Sequence, residues 1–128
     1  MKNLSIKETK YTPEILFDAT NRVLSIKGKS YPENTFEFYK PISTWISEFL
    51  KTLTNEEVSL TLDLEYLNSS SLKAYFDLFD KLEDAVNQNK NRKINIKWLY
   101  DEENDIAQET GEDFQEDFAS LNIELVVK

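Results

Sequence analysis

One stretch, Val58–Phe79, decides the fold and reads VSLTLDLEYLNSSSLKAYFDLF. In its first part four apolar residues alternate with polar ones: Val58, Leu60, Leu62 and Leu64. Such alternation is typical of a β-strand with one covered face and one wetter face. From Leu72 onward apolar residues recur every three or four positions instead, which predicts an amphipathic helix. The stretch therefore predicts a strand that passes directly into a helix through a short polar junction.

The rest of the chain repeats this strand–helix pattern on both sides. Alternation predicts two later strands, Ile94–Tyr100 and Ile123–Val127, and two weaker earlier ones near Ile15–Phe17 and Arg22–Lys27, joined by a hairpin turn at Asp18–Asn21. One further helical face contains Tyr39, Ile42, Trp45, Ile46, Phe49, Leu50 and Leu53. Because proline is tolerated in a first turn, Pro41 predicts that this helix begins near Phe38. A weaker helix from Asn104 to Phe118 is predicted to be interrupted at Gly111.

The predicted order, β-β-α-β-α-β-α-β, fixes the fold class. Strands that alternate with helices imply a mainly parallel sheet with right-handed crossovers. The polar positions within each strand imply that one face of the sheet carries no helix, since doubly wound sheets have almost continuously apolar strands. We therefore predict an α/β fold: a single domain, residues 1–128, with a mixed, mostly parallel sheet and helices packed mainly on one face.

Composition excludes several classes of function. The net charge of −9 disfavours nucleic acid and anionic membrane surfaces and suits a basic protein partner. The chain has no cysteine and no histidine, which removes the thiolate nucleophile, the commonest general base and the commonest transition-metal ligand. Without an apolar signal core or a span of about 18 apolar residues, the chain is expected to be cytoplasmic. We expect no catalytic residues, no metal site and no cofactor.

The polar junction Asn68–Ser71 is the strongest candidate site. Asn and Ser are favoured helix N-caps, and capping explains one or two of these residues. A helix N-terminus also presents unpaired N–H groups and a positive dipole end, which suit a phosphate. Capping and phosphorylation both remain open at this point.

Two other segments stand out from the pattern. Lys29–Thr35 is predicted to be a structured loop between a strand and a helix, where Asn34 or Thr35 caps an early helical turn and Tyr31 beside Pro32 suits a partner contact. The acidic residues between Asp101 and Asp117 do not follow an EF-hand spacing, so they indicate a solvated helix face that can serve as a docking surface.

Four blocks of the sequence resemble the SiaC family of bacterial regulatory phosphoproteins. They are Gly28–Asn34 (GKSYPEN), Phe38–Pro41 with Trp45, Leu64–Lys73 (LEYLNSSSLK) and Trp98–Asp101. The resemblance runs from about Ile15 to Phe118, and the SYPEN and YLNSS motifs together make it specific. It implies a fold similar to the STAS-type anti-sigma-factor antagonists.

The resemblance also implies a function and a set of site residues. Members of the family are partner-switching proteins: a kinase phosphorylates the hydroxyl residue after the Asn of the YLN block, and a PP2C-type phosphatase removes the phosphate. The unphosphorylated form binds and activates a diguanylate cyclase, which links it to cyclic-di-GMP and biofilm signalling. Carried onto this chain, the acceptor is Ser69, with Ser70 and Ser71 as alternatives; the family also uses threonine there, so the serine is a departure. The implied partner contacts are Tyr31, Pro32, Glu33, Asn34, Tyr66, Asn68, Ser70 and Lys73.

Two other functions remain open on the sequence. The same switch chemistry would suit an anti-sigma-factor antagonist that acts on transcription through a different partner. A small enzyme that uses a divalent metal at the acidic segment is a weaker alternative, because His and Cys are absent and only two glycines are present. In a cyclase activator and in an anti-sigma-factor antagonist alike, the Ser69 hydroxyl would also cap the second helix when it carries no phosphate.

Overall fold

Six strands form one sheet in the order in which they occur along the chain. A computed structural model describes all residues, Met1–Lys128. The strands are β1 (Leu4–Ile6), β2 (Glu14–Asp18), β3 (Val23–Ser30), β4 (Glu57–Leu67), β5 (Lys93–Tyr100) and β6 (Asn122–Val127). The helices are α1 (Thr35–Thr52), α2 (Ser69–Gln88) and α3 (Asp105–Asp117).

The sheet is mixed. β1, β2 and β3 pair antiparallel, and the predicted hairpin joins β2 to β3. β3 to β6 pair parallel, with α1, α2 and α3 as the three successive crossovers. Each crossover connects a strand to its next neighbour in the sheet, always in the same direction along the sheet. Right-handed connections therefore place all three helices on one face of the sheet. The predicted α/β fold with a mostly parallel sheet is confirmed.

The core lies between the sheet and this helix layer. The predicted face of α1 is buried, and alternate residues of each central strand are buried as well. Both tryptophans are core residues, as predicted: Trp45 packs on Phe17 and Phe49, and the Trp98 indole donates to the Ala107 carbonyl over 2.9 Å. No helix is both long enough and apolar enough to cross a bilayer.

The first strand, β1, was not predicted. It has only three residues and pairs at the sheet edge, Leu4 with Phe17 and Ile6 with Ile15. Leu4, Ser5 and Ile6 do alternate, but three residues are fewer than the roughly four to eight over which alternation predicts a strand, so β1 is recognised only by its pairing with β2.

The predicted start of α1 near Phe38 is wrong. The helix begins at Thr35, after an Asn34 cap whose side chain accepts a hydrogen bond from the Glu37 N–H over 3.0 Å. Pro41 therefore lies inside the helix rather than in its first turn. The helix loses the hydrogen bond that the missing N–H would have made, while burial of Tyr39 and Ile42 on either side of Pro41 stabilises this segment.

The predicted interruption of α3 at Gly111 is also wrong, because the helix continues through this residue. Gly111 is buried against the Trp98 indole, and a Cβ placed on it would lie 2.6 Å from the Trp98 ring carbon Cδ1. The glycine is therefore needed for close approach of α3 to the sheet rather than for a break in the helix.

Gly111→Ala is expected to destabilise the protein, although alanine normally favours a helix interior by roughly 1 kcal/mol over glycine. The added methyl group forces the indole or the helix to move, and such overpacking costs about 1–3 kcal/mol. Urea denaturation measures the change, and the exposed neighbour Glu112→Ala is the matched control. A stabilised Gly111→Ala protein would show that the indole yields without cost.

Candidate functional site

Three strand-to-helix junctions lie side by side at the carboxyl edge of the parallel strands. Each helix that follows is capped by an asparagine whose side-chain oxygen accepts a backbone N–H: Asn34 from Glu37, Asn68 from Ser71 and Asn104 from Ala107. The Asn104 amide also donates to the Glu65 carbonyl over 3.0 Å, which ties the third junction to the end of β4. Ligand and partner sites of open α/β sheets occur at this edge.

A bulge shapes the end of β4 at this edge. Gly28 pairs with Leu64 and Lys29 pairs with Tyr66, so Glu65 has no partner on β3. Gly28 adopts φ +131°, a conformation that L side chains rarely adopt. The extra residue ends the alternation: Leu64 is buried, whereas Tyr66, which strict alternation would bury, is 53% exposed.

The bulge brings Tyr66 to a surface aromatic cluster in which Tyr11 and Tyr66 are exposed and Tyr31 is half-buried. The Tyr31 ring lies 5.3 Å from the Tyr11 ring and 5.8 Å from the Tyr66 ring, and both contacts are edge-to-face. The Tyr31 N–H also donates to the Tyr11 carbonyl over 2.8 Å. The predicted contact residues Tyr31 and Tyr66 therefore share one surface patch, and such patches are frequent in protein interfaces.

The three serines at the start of α2 have different environments. Ser69 is exposed, and its hydroxyl forms no hydrogen bond within the chain. Ser70 is also exposed, but its hydroxyl is bonded to the Thr35 hydroxyl over 2.6 Å and to the Asn68 side chain over 3.2 Å. Ser71 is fully buried. The capping oxygen belongs to Asn68, so the prediction that the Ser69 hydroxyl caps this helix is wrong.

Ser71 belongs to a chain of four buried hydroxyl groups. The Ser71 and Ser30 hydroxyls lie 2.7 Å apart, Ser30 and Tyr39 lie 2.6 Å apart, and Tyr39 donates to Tyr75 over 3.0 Å. Because the only proton of the Tyr39 hydroxyl goes to Tyr75, Ser30 must donate to Tyr39, and Ser71 must then donate to Ser30. This chain joins the start of α2 to the end of β3 and to α1.

Alkaline pH is expected to destabilise the protein through these buried tyrosines. Desolvation raises the pKa of Tyr75 well above its usual value, and desolvation also raises the pKa of Tyr39. Both phenols ionise near pH 10 once the chain unfolds. Stability is therefore unaffected below that pH, and above it each phenol that ionises only in the unfolded chain removes about 1.4 kcal/mol per pH unit. Urea midpoints measured across this range for wild type and Tyr75→Phe test this; equal losses would contradict it.

The remaining predicted residues surround the same junction. Pro32 is half-buried, while Glu33, Asn34 and Lys73 are exposed. Lys73 follows Ser69 by one helical turn and lines a groove between α1 and α2 that also contains Ser70. By contrast, the acidic side chains of the Asp101–Asp117 segment do not converge, since no group of three or more is placed to hold a metal ion.

Several residues of this surface carry no signal in the sequence. Tyr11 meets Tyr31 only because the loop before β2 lies against the end of β3. Phe36 is 76% exposed in the first turn of α1. The sequence predicts a later start of this helix, near Phe38, and so places Phe36 before it. Ser30 belongs to the SYPEN motif, but the motif does not show that this serine is fully buried.

Comparison with known proteins agrees with this geometry. The model of the SiaC family of regulatory phosphoproteins matches residues 6–128. The structure of SiaC of Pseudomonas aeruginosa is 35% identical, covers all of both chains and superposes with a TM-score of 0.89. A chain in the crystal structure of the diguanylate cyclase SiaD in complex with its activator SiaC, from the same species, is 36% identical, with 98% of this chain and 99% of that chain covered and a TM-score of 0.88. An uncharacterised protein of P. aeruginosa strain UCBPP-PA14 is 38% identical over 117 residues, which are 91% of this chain and 90% of that protein. This chain therefore belongs to the SiaC family of regulatory phosphoproteins.

Proposed function

We propose that this protein is a phosphorylation-gated activator of a diguanylate cyclase and has no catalytic activity of its own. The observation that carries the proposal is the Ser69 hydroxyl, which is exposed and without a hydrogen bond at the first residue of α2. Family membership and a similar chain in complex with a cyclase support it. In its unmodified form the junction would be the docking surface, and a phosphate there would prevent docking.

Ser69 is the proposed acceptor among the three serines. A protein kinase must bring the hydroxyl to its own catalytic groups, which an exposed hydroxyl permits and a fully buried one such as Ser71 does not. Ser70 would first have to break its hydrogen bonds to Thr35 and Asn68. A phosphate on Ser69 adds about −1.5 to −2 charge units at the positive end of the helix dipole, where it is tolerated by the fold.

The contacts that the partner would use lie on either side of Ser69. Tyr66 of the aromatic cluster precedes it by three residues, and Ser70 and Lys73, which line the groove, follow it at the start of α2. Asn68 holds the intervening turn by its cap, and the loop of Pro32, Glu33 and Asn34 leads from the cluster to α1. In the proposed complex a phosphate on Ser69 would place an unpaired charge inside the interface, which is strongly unfavourable.

The proposed cycle needs three partner proteins in the cytoplasm: the cyclase, a protein kinase that modifies Ser69, and a PP2C-type phosphatase that restores it. Nucleic acid and membranes are not among the proposed partners, because the net charge of −9 opposes both. One sheet and one helix layer within residues 1–128 would carry the whole switch.

A reconstitution tests the proposal. The purified chain is mixed with the full-length diguanylate cyclase of the same organism, and cyclic-di-GMP formation is measured before and after treatment of the chain with the cognate kinase. Activation by the unmodified protein, its loss on phosphorylation and its return with the phosphatase are expected. Absence of activation, together with capture of an ATP-binding anti-sigma kinase, would favour the anti-sigma-factor antagonist instead.

A further inference from the structure

Thr35, the first residue of α1, contacts the start of α2 through its hydroxyl group. This hydroxyl lies 2.6 Å from the Ser70 hydroxyl, although the two residues are 35 positions apart in the chain. Ser70 in turn donates to the side-chain oxygen of Asn68 over 3.2 Å. Because a serine hydroxyl carries one proton and Ser70 gives it to Asn68, Thr35 must be the donor to Ser70. The proton and one oxygen lone pair of Ser70 are therefore both engaged.

Both ends of this contact are held in place by helix caps. Thr35 follows Asn34, whose side chain accepts a backbone N–H of α1 over 3.0 Å. Ser70 lies two residues after Asn68, whose side chain accepts a backbone N–H of α2 over 2.9 Å. The branched Cβ of threonine also restricts its χ1 angle. Little further ordering is needed to form the hydrogen bond between Thr35 and Ser70, which favours its persistence.

Phosphoryl transfer to a serine requires the same two parts of its hydroxyl group. The oxygen forms a bond to the γ-phosphorus of a nucleoside triphosphate, the bond from that phosphorus to the nucleoside diphosphate breaks, and the hydroxyl proton passes to a base of the kinase. Both parts are free on Ser69, whose exposed hydroxyl forms no hydrogen bond. On Ser70 one lone pair accepts the Thr35 proton, and the hydroxyl proton is directed at Asn68.

We propose that Thr35 is a specificity-determining residue for phosphorylation of the junction: its hydroxyl holds Ser70 and so restricts the kinase to Ser69. The inference rests on the proposed function and adds a residue of α1 that selects the acceptor on α2. In this role Thr35 acts only through Ser70 and needs no contact with the transferred phosphoryl group. One phosphate per chain then sets the switch, and its removal from one site resets it.

Phosphorylation of the full chain by the cognate kinase and ATP, followed by peptide mass spectrometry, tests this role. The initial rate at Ser70 is measured in a Ser69→Ala background, where Ser70 is the one exposed serine left at the junction. Thr35→Val keeps the shape of threonine without its hydroxyl, so it is expected to raise this rate about three- to tenfold, the effect of one hydrogen bond. Thr35→Ser restores a hydroxyl and should return the rate towards that of Ser69→Ala alone.

The matched control is Thr61→Val in the same background, which is expected to leave the Ser70 rate unchanged. Thr61 is half-buried like Thr35, but it lies within β4 and its hydroxyl forms no hydrogen bond. Urea denaturation of each variant measures whether the fold is retained. A general loosening of the junction would also release the buried Ser71, so phosphate on Ser71 in Thr35→Val would overturn the inference.

The wild-type chain separates this inference from the proposed function. If its Ser69 is phosphorylated and Thr35→Val leaves the Ser70 rate unchanged, Thr35 does not select the acceptor and the proposed function stands. If the kinase does not phosphorylate Ser69 of the wild type, both are overturned. A wild type modified at Ser69 alone, with Ser70 released by Thr35→Val and held again by Thr35→Ser, is the expected result.

Discussion

Ser69→Asp is expected to lose at least about 100-fold in affinity for the cyclase, which corresponds to about 2.8 kcal/mol, while its stability stays at the wild-type value or rises. Ser69 is the first residue of α2, and a carboxylate at this position interacts favourably with the helix dipole by about 0.3–1 kcal/mol. The free energy of unfolding of Ser69→Asp is therefore not expected to fall below that of the wild type. Affinity is expected to fall instead, because Ser69 directly precedes the groove residue Ser70, and in the proposed complex its carboxylate would lose water when the partner docks.

Two further variants separate charge from size at this position. Ser69→Asn has nearly the shape of aspartate without its charge, so it should bind much more tightly than Ser69→Asp. Ser69→Ala removes the proposed acceptor hydroxyl and should activate the cyclase whether or not the kinase is present. Calorimetry measures affinity, and cyclic-di-GMP formation measures activation. Equal affinity of Ser69→Asp and wild type would remove Ser69 from the switch, and retained phosphorylation of Ser69→Ala would move the acceptor to another residue.

The sheet and its three helices could be predicted from the sequence because their patterns are local. The alternation in β4 and the three-to-four-residue spacing in α2 each report burial within one element. The wrong and missed predictions share one cause, because they depend on contacts between elements, which a local pattern does not contain. Gly111 looks like a helix breaker until Trp98 is seen against it, and β1 becomes a strand only through its pairing with β2.

The site shows the same division between local and distant information. That a polar junction precedes α2 is readable from Asn68–Ser71 alone. Which of its serines is exposed cannot be read there, because Ser71 is buried beside Ser30, a hydrogen-bond partner 41 residues earlier in the chain. The bulge at Glu65, which exposes Tyr66, likewise depends on the conformation of Gly28 in the neighbouring strand. Sequence patterns locate the junction, and packing between elements decides which of its side chains are exposed.

Ser30→Ala is expected to destabilise the protein by about 2–4 kcal/mol, a large effect for the loss of one oxygen atom. Ser30 is fully buried in the middle of the hydroxyl chain, where it accepts from Ser71 and donates to Tyr39. Alanine removes both hydrogen bonds at once. It leaves the buried Ser71 hydroxyl without an acceptor and the Tyr39 oxygen without a donor, and each unsatisfied buried group costs about 1–3 kcal/mol.

Substitution at the end of the same chain should be far milder, and this contrast tests the cause. In Tyr75→Phe the Tyr39 proton loses its acceptor, but the chain can reverse: Tyr39 then donates to Ser30 and Ser30 to Ser71, so both remaining hydrogen bonds are kept. A loss of about 1 kcal/mol is expected. Ser25→Ala on the same strand, whose side chain forms no hydrogen bond, should change stability by less than about 0.5 kcal/mol. Urea denaturation at neutral pH ranks the three variants. If Ser30→Ala and Tyr75→Phe were equally destabilised, the hydroxyl groups would act as separate pairs rather than as one reversible chain joining α2 to β3 and α1.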